Sequence, residues 1–428
     1  MNRIVMAILA CLCAGALEAR QPVSFDETVE AHAAGELEAA RTAFRRMAEA
    51  GRVEAQFNLG AMLANAEGGP ADVVEGALWI TLASEAGFDA AEQAAPIISE
   101  ALDEAERDEF RQRLPDWRNS YARDELLARF TPRFCGGCEV NDVNAREAEQ
   151  HRLETLLEGK RLTVEREAPS YPREAARSGA MGEVLIGAWL NEEGEIEQPH
   201  IQFADPEGVF DEAALRAFSR WDFDWVGEPP EGAPFYIVQQ IRFQLDGAKE
   251  RAFDSMTRRQ LREDVRNWDE DVLAAYQAAW TLDFMDEEVD PDNPAALVEV
   301  TYQAAYAGII RAQLDLAERF RCGDNVAQST PANHFWLKQA AFEGVPRAQF
   351  LLSIKDSTDP EFAAALRSSA AENGFLPATL AEIRHQVEHG NEVDQRELAA
   401  LIDSLPDRWR KHHGDGEVMR RAKAIAEL

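Results

Sequence analysis

Positive charge is scarce in this chain. Lys and Arg number 44 against 78 Asp and Glu, so the formal charge over 428 residues is −34. A partner built on a phosphate backbone needs clustered cations that displace its counterions, and this balance repels it, which excludes an electrostatic nucleic-acid binder. Anionic membrane surfaces are disfavoured for the same reason. No uninterrupted apolar run approaches the ~20 residues that cross a bilayer. Glycine-rich phosphate loops and serine or cysteine triads are also missing, and no cofactor is expected. There are only five cysteines, whereas the 46% hydrophobic content is ample for packed cores. At ~150 residues per domain the length suggests about three folded units.

The first 19 residues read as an export signal. Arg3 supplies a positive start, Ile4 to Ala16 is an uncharged apolar run of 13, and Ala16 and Ala19 offer small residues for cleavage. The mature chain is then expected in the periplasm, without an integral span. Ile8-Leu9-Ala10-Cys11 weakly matches a lipoprotein box, which would instead anchor the chain by a lipid on Cys11. In an oxidising compartment Cys135 and Cys138 can close a small ring across Gly136-Gly137, and a structural disulfide is favoured over a redox site because no strand-then-helix context surrounds the pair. Cys322 has no sequence-local partner. It is either a free buried thiol or the partner of one of that pair.

A repeat runs through both ends of the chain. Ala48-Glu49-Ala50-Gly51 returns as Ser84-Glu85-Ala86-Gly87, and Ala307-Gly308 returns as Glu343-Gly344, each 36 residues on, with a shorter copy at Asn373-Gly374. Each unit reads as a helix, a glycine stop and a second helix with small and large apolar residues at helical spacing, as in Ala55, Leu59, Met62 and Leu63. Hairpins of this kind bury their apolar faces only by stacking. Ala55-Gln56-Phe57-Asn58-Leu59-Gly60, Ala77-Leu78-Trp79-Ile80, Ala312-Gln313-Leu314 and Trp336-Leu337-Lys338-Gln339-Ala340-Ala341 resemble the Sel-one-like repeats, relatives of the tetratricopeptide hairpins. The resemblance implies a protein-interaction scaffold over residues 21–130 and, within a helical region 247–428, over about 290–390.

Between these arms the period changes to two. Val184, Ile186, Ala188 and Leu190 alternate, Asn191 to Gly194 supplies a turn, and a second strand runs from Glu195 to Phe203. Phe210, Ala214, Phe218 and Trp221 then fall on one helical face, and Ile237, Ile241, Phe243 and Leu245 share one parity in a third strand, with Gln239 the polar exception. Residues 131–164 read as a connector carrying the cysteine pair and a charged helix.

The segment 165–246 resembles the C-terminal domain of TonB-family energy transducers. Tyr171-Pro172, Gly182, Gly194, Phe210-Asp211, Trp221, Phe223 and the closing Ile241-Arg242-Phe243 carry the likeness, and Trp225 departs from it by standing where proline is usual. The fold class expected is therefore α+β and multidomain, with two α-helical hairpin solenoid arms around a small TonB-like β-β-α-β domain. By resemblance, this domain adds an extended segment of an outer-membrane receptor or another envelope protein as an extra strand. Tyr236, Val238, Gln240 and Arg242 on the third strand are the candidate binding edge. The acidic surface as a whole favours basic partner segments, subject to salt screening. A transport transducer is the alternative, although the motor-coupling helix and proline-rich spacer of that system are not recognisable in the sequence.

One enzymatic hint exists. His385-Gln386-Val387-Glu388-His389 matches H-x-x-E-H, which on a helix puts two imidazoles one turn apart beside a carboxylate. It ends a repeat helix just before Gly390, where histidines also suit the helix dipole, so a solvated helix end is expected and a metal-dependent enzyme is the lesser reading. His412-His413 lies in a charged turn. The function expected is association rather than bond chemistry.

Overall fold

The computed structural model describes residues 21–135, 161–178, 180–191, 193–205, 208–226, 235–244, 255–285, 287–355, 358–389, 395–405 and 417–426. The export segment with Cys11, the residue Cys138 and the His412-His413 turn lie outside them.

Among the described residues seven helices come first: α1 (Phe25–Ala34), α2 (Leu37–Glu49), α3 (Val53–Ala64), α4 (Val73–Glu85), α5 (Asp89–Ala101), α6 (Glu104–Tyr121) and α7 (Arg123–Arg129). Ser24 and Glu27 form a capping box at the start of α1, and the Asp72 side chain caps α4 by accepting from the Glu75 N–H at 2.8 Å. Helices α3 and α4 meet backbone to backbone. A methyl group on Gly60 would lie 2.8 Å from the Gly76 carbonyl, and one on Gly76 would lie 2.8 Å from the Gly60 carbonyl. Leu59, Met62, Leu63, Leu78 and Trp79 are fully buried around that crossing.

The second helical series comprises α10 (Ser255–Arg266), α11 (Val272–Phe284), α12 (Ala296–Tyr306), α13 (Ile310–Cys322), α14 (Thr330–Phe342), α15 (Pro346–Ser353), α16 (Pro360–Glu372), α17 (Leu376–His389), α18 (Gln395–Ser404) and α19 (Glu417–Ala426). The repeat read from the sequence has a structural counterpart. Gly51, Gly87, Gly308, Gly344 and Gly374 all adopt left-handed backbone, with φ between +77° and +88°. That conformation stops one helix and is open to a residue without Cβ at little cost. Gln56 follows Gly51 as Gln313 follows Gly308, by five residues. Gln56 donates to the Ala48 carbonyl at 3.2 Å and Gln313 to the Ala305 carbonyl at 3.3 Å. The buried glutamine thus satisfies a last-turn carbonyl of the preceding helix, which accounts for its place in the repeat.

Two compact units emerge. One runs to Thr131 and takes in Lys338–Val345 and Leu352–Leu366; the other comprises Pro132–Leu337, Pro346–Leu351 and Arg367–Leu428. In the first, Arg52 pairs with Glu343, Gln339 donates to the Ala50 carbonyl at 2.8 Å, and the Arg46 guanidinium lies 4.6 Å from the centre of the Phe362 ring. Burial lowers the pKa of Arg46 and of Lys338 and raises that of Glu49.

The second unit contains the sheet module: β1 (Arg161–Glu165), α8 (Arg173–Ser178), β2 (Gly182–Leu190), β3 (Ile196–Asp205), α9 (Asp211–Phe218), β4 (Asp222–Val226) and β5 (Phe235–Phe243). Two expectations are corrected. Residues 161–165, assigned to a charged connector helix, form a strand, because Leu162 and Val164 pair in register with Trp225 and Phe223 of β4. The helix expected to reach Trp221 ends at Phe218, and Trp221 enters the core after a turn that leads into β4. The module therefore holds a two-stranded ladder, β1-β4, beside a three-stranded antiparallel sheet in the order β3-β2-β5.

Candidate functional site

The alternating residues of β2 divide the sheet into two faces. Val184, Ile186, Ala188 and Leu190 are wholly buried with Phe210, Ala214 and Phe218 of the α9 region and with Ile237, Ile241 and Phe243 of β5. Phe210 stacks on Phe243 at 4.5 Å, and Tyr171 meets both rings edge-on while its hydroxyl donates to the Ala180 carbonyl. Burial raises the Tyr171 pKa. Pro172 accepts from the Ala176 N–H at the start of α8, and the Asp211 carboxylate accepts from Gly208 N–H at 3.0 Å. Trp221 donates to the Glu167 carbonyl at 3.0 Å. At the β2-β3 turn Gly194 has φ +84°, and an added Cβ would stand 2.1 Å from the Phe223 carbonyl oxygen, so this turn admits only glycine. Trp225 clamps the same turn by donating to the Asn191 carbonyl at 3.2 Å. The residues that carry the family likeness hold the module's core and its turn.

Trp189 has the opposite parity and is buried against Leu380, Ile383 and Val387 of α17 together with residues of α18 and α19. Arg384 of α17 reaches the beginning of β3. Its guanidinium lies 2.6 Å from the Glu197 carboxylate, 3.3 Å from the Gln198 side-chain oxygen and 5.1 Å from the Trp189 ring centre. His200, fully buried beside Trp189, donates through Nδ1 to the Gln198 carbonyl at 2.7 Å. Desolvation drives its pKa down to about 4 against the opposing pull of that hydrogen bond.

The two outer strands differ in kind. β3 changes register against β2 twice, between Leu185 and Ile186 and again between Gly187 and Trp189. Gln198 is held at φ +51°, and the adjacent Pro199 has no N–H to offer. Bulges, proline and a covering helix are the means by which proteins disable a sheet edge. β5 pairs with β2 in unbroken register over nine residues, from Gly182 with Phe243 to Leu190 with Phe235, and has no proline. Tyr236 stands opposite Trp189 and Val238 opposite Gly187. Gln240 donates to Glu183 at 2.6 Å, Arg242 stands 3.9 Å from the same carboxylate oxygen, and Gln239 accepts from Arg166 at 3.4 Å.

His385 is exposed near the end of α17 and His389 is its last residue; among the described residues no group of His, Cys, Asp and Glu is arranged to hold a metal ion. Cys135 is disulfide-bonded, with its partner outside the described residues, and its N–H donates to the Asn325 carbonyl at 3.0 Å. Cys322 is a buried thiol, 3.3 Å from the Glu318 carboxylate.

Residues 167–245 match the family model of the Gram-negative bacterial TonB protein C-terminal. Among solved structures, the chain is similar to a protective antigen present in uropathogenic Escherichia coli strains displaying an SLR fold. The identity is 15%, the match covers 94% of this chain and 84% of that one, and the TM-score is 0.21. Among curated proteins none matches. The chain is thus an α+β multidomain protein with a TonB C-terminal-type domain between helical repeats.

Proposed function

We propose that this chain, a carrier of a TonB C-terminal-type domain, is an exported, non-catalytic binding protein of the cell envelope. Its sheet module takes an extended segment of an envelope partner as a further strand on β5, and its helical repeats hold a second protein. The carrying observation is the contrast between the two outer strands. β3 is broken by bulges, lacks an N–H at Pro199 and is clasped by Arg384, whereas β5 is regular over its full length. A visiting backbone needs consecutive unpaired donors and acceptors, so an uninterrupted outer strand suits the task and a bulged one does not. The partner class follows from the family, and a link to outer-membrane transport is the finer reading.

Photo-crosslinking residues at Val238 and Gln240 in intact cells test this, with a third at Gln198 as the control. The expected adducts join β5 positions to an unstructured segment of an envelope protein, with fewer from Gln198. Adducts confined to the chain's own helices would refute it. Retention of the first 16 residues in a complex with membrane-motor proteins would move the assignment to a transport transducer.

A further inference from the structure

We propose that Arg242 is a selectivity residue of the β5 edge and that it reads a carboxylate on the visiting strand. The inference rests on strand addition at β5 and concerns the chemistry of what is added.

β5 reads Phe-Tyr-Ile-Val-Gln-Gln-Ile-Arg-Phe, nine residues with no acid, within a chain of formal charge −34. Residues of alternating parity point to opposite faces. Ile237, Ile241 and Phe243 enter the module's core, so Arg242 lies on the other face, where its side chain retains 35% exposure.

Its existing ties are loose. The Glu183 oxygen nearest to it already accepts from Gln240 at 2.6 Å, which leaves Arg242 at 3.9 Å, beyond hydrogen-bond distance. The guanidinium is also 5.9 Å from the Phe284 ring centre, at the outer range of cation–π attraction. Among the described residues no hydrogen bond occupies its five N–H donors.

Phe284 is the aromatic neighbour of this cation. It is buried, stacks on Trp280 at 5.1 Å, and Trp280 in turn carries Arg311 at 4.3 Å. The Gln244 side chain ties the end of β5 to α11 by donating to the Phe284 carbonyl at 3.0 Å. The guanidinium thus has an apolar neighbour on α11, while its donors stay open. A planar fork with free donors is complementary to a carboxylate, which can take two parallel hydrogen bonds. Glu183 and Asp283 lower the local field, so the gain comes from hydrogen bonding at contact range more than from long-range attraction. The chain's overall negative charge is screened beyond about 8 Å at physiological salt, and a carboxylate at this one position is compatible with it. The expected partner segment is apolar on alternate residues and bears an Asp or Glu at the position that reaches Arg242.

A displayed library of linear ten-residue peptides, selected on the full-length protein and on its Arg242→Glu variant, tests the idea. Wild type should enrich peptides with an acid at one fixed position, the Arg242→Glu protein should enrich Lys or Arg there, and exchange of the acid for its amide should weaken binding to wild type about fivefold, the upper range for a half-exposed ion pair. Arg242→Lys should retain part of the preference and shows that the strand tolerates change at this site. Identical enrichment from both proteins would overturn the inference. Methylation of alternate backbone nitrogens in the recovered peptide separates the two readings. If it leaves affinity unchanged, strand addition fails while the charge preference stands; if it abolishes binding and no acid preference exists, strand addition stands alone. Absence of binders to wild type would overturn both.

Discussion

Gly60→Ala sets two magnitudes against each other. In a helix interior alanine is favoured over glycine by about 1 kcal/mol, so propensity alone makes α3 more stable. At this position the new methyl would lie 2.6 Å from Ile80 Cγ1, 2.8 Å from the Gly76 carbonyl oxygen and 3.2 Å from the Ile80 nitrogen. Two of those three neighbours are backbone, so a rotamer change does not relieve them and the helices must separate. Overpacking of this kind costs up to about 3 kcal/mol. The difference leaves a net loss of about 2 kcal/mol, confined to the α3-α4 crossing. Hydrogen exchange in the intact chain reads this locally: amides of α3 and α4 that exchange through opening of this hairpin should do so about 30-fold faster, while β2 and β5 are unchanged. Exchange that is unaltered or slower would show that the glycines are not there for close approach and would refute the packing argument.

Acid should destabilise the second unit through His200. Its folded-state imidazole titrates near 4, below the ordinary 6.5, so the unfolded chain takes up the proton first. The associated stability is complete above about pH 6.5 and is lost as pH falls towards 4, by up to about 3 kcal/mol; urea midpoints across that range should show the slope, and His200→Gln should flatten it. Gly194→Ala should cost roughly 3 kcal/mol, the sum of a left-handed backbone and a methyl driven against the Phe223 carbonyl. A loss below 1 kcal/mol in thermal unfolding would mean that the β2-β3 turn is not seated on β4.

The sheet was legible where its two-residue period is strong. Val184 to Leu190 and Ile237 to Phe243 each supply a run of same-face apolar residues that only a half-buried strand explains. β1 and β4 were less visible because each is five residues long and they pair with each other at the rim, and charged neighbours around Arg161 and Glu165 resemble a solvated helix. The glutamines of the repeats were part of the motif, but their work on the Ala48 and Ala305 carbonyls needs two helices brought together in space. The cover over Trp189 left one trace in the sequence: a tryptophan at the parity that otherwise faces away from the module's core. Its partners, Ile383 and Val387, lie nearly two hundred residues downstream and were out of reach of local pattern. Pro199 was no part of the strand pattern read from the sequence, although proline in a strand signals an outer position or a bulge.

The pairing of Arg52 with Glu343 and of Ala50 with Gln339 has a consequence for biogenesis. The helices flanking Gly51 find these companions only after about 290 further residues have been made, a separation of the kind that slows folding. During that interval their unsatisfied flank is open to chaperones or to aggregation. A chain terminated after the sheet module would keep the candidate edge and still emerge as a poor protein, because its first unit is completed by segments within residues 338–366.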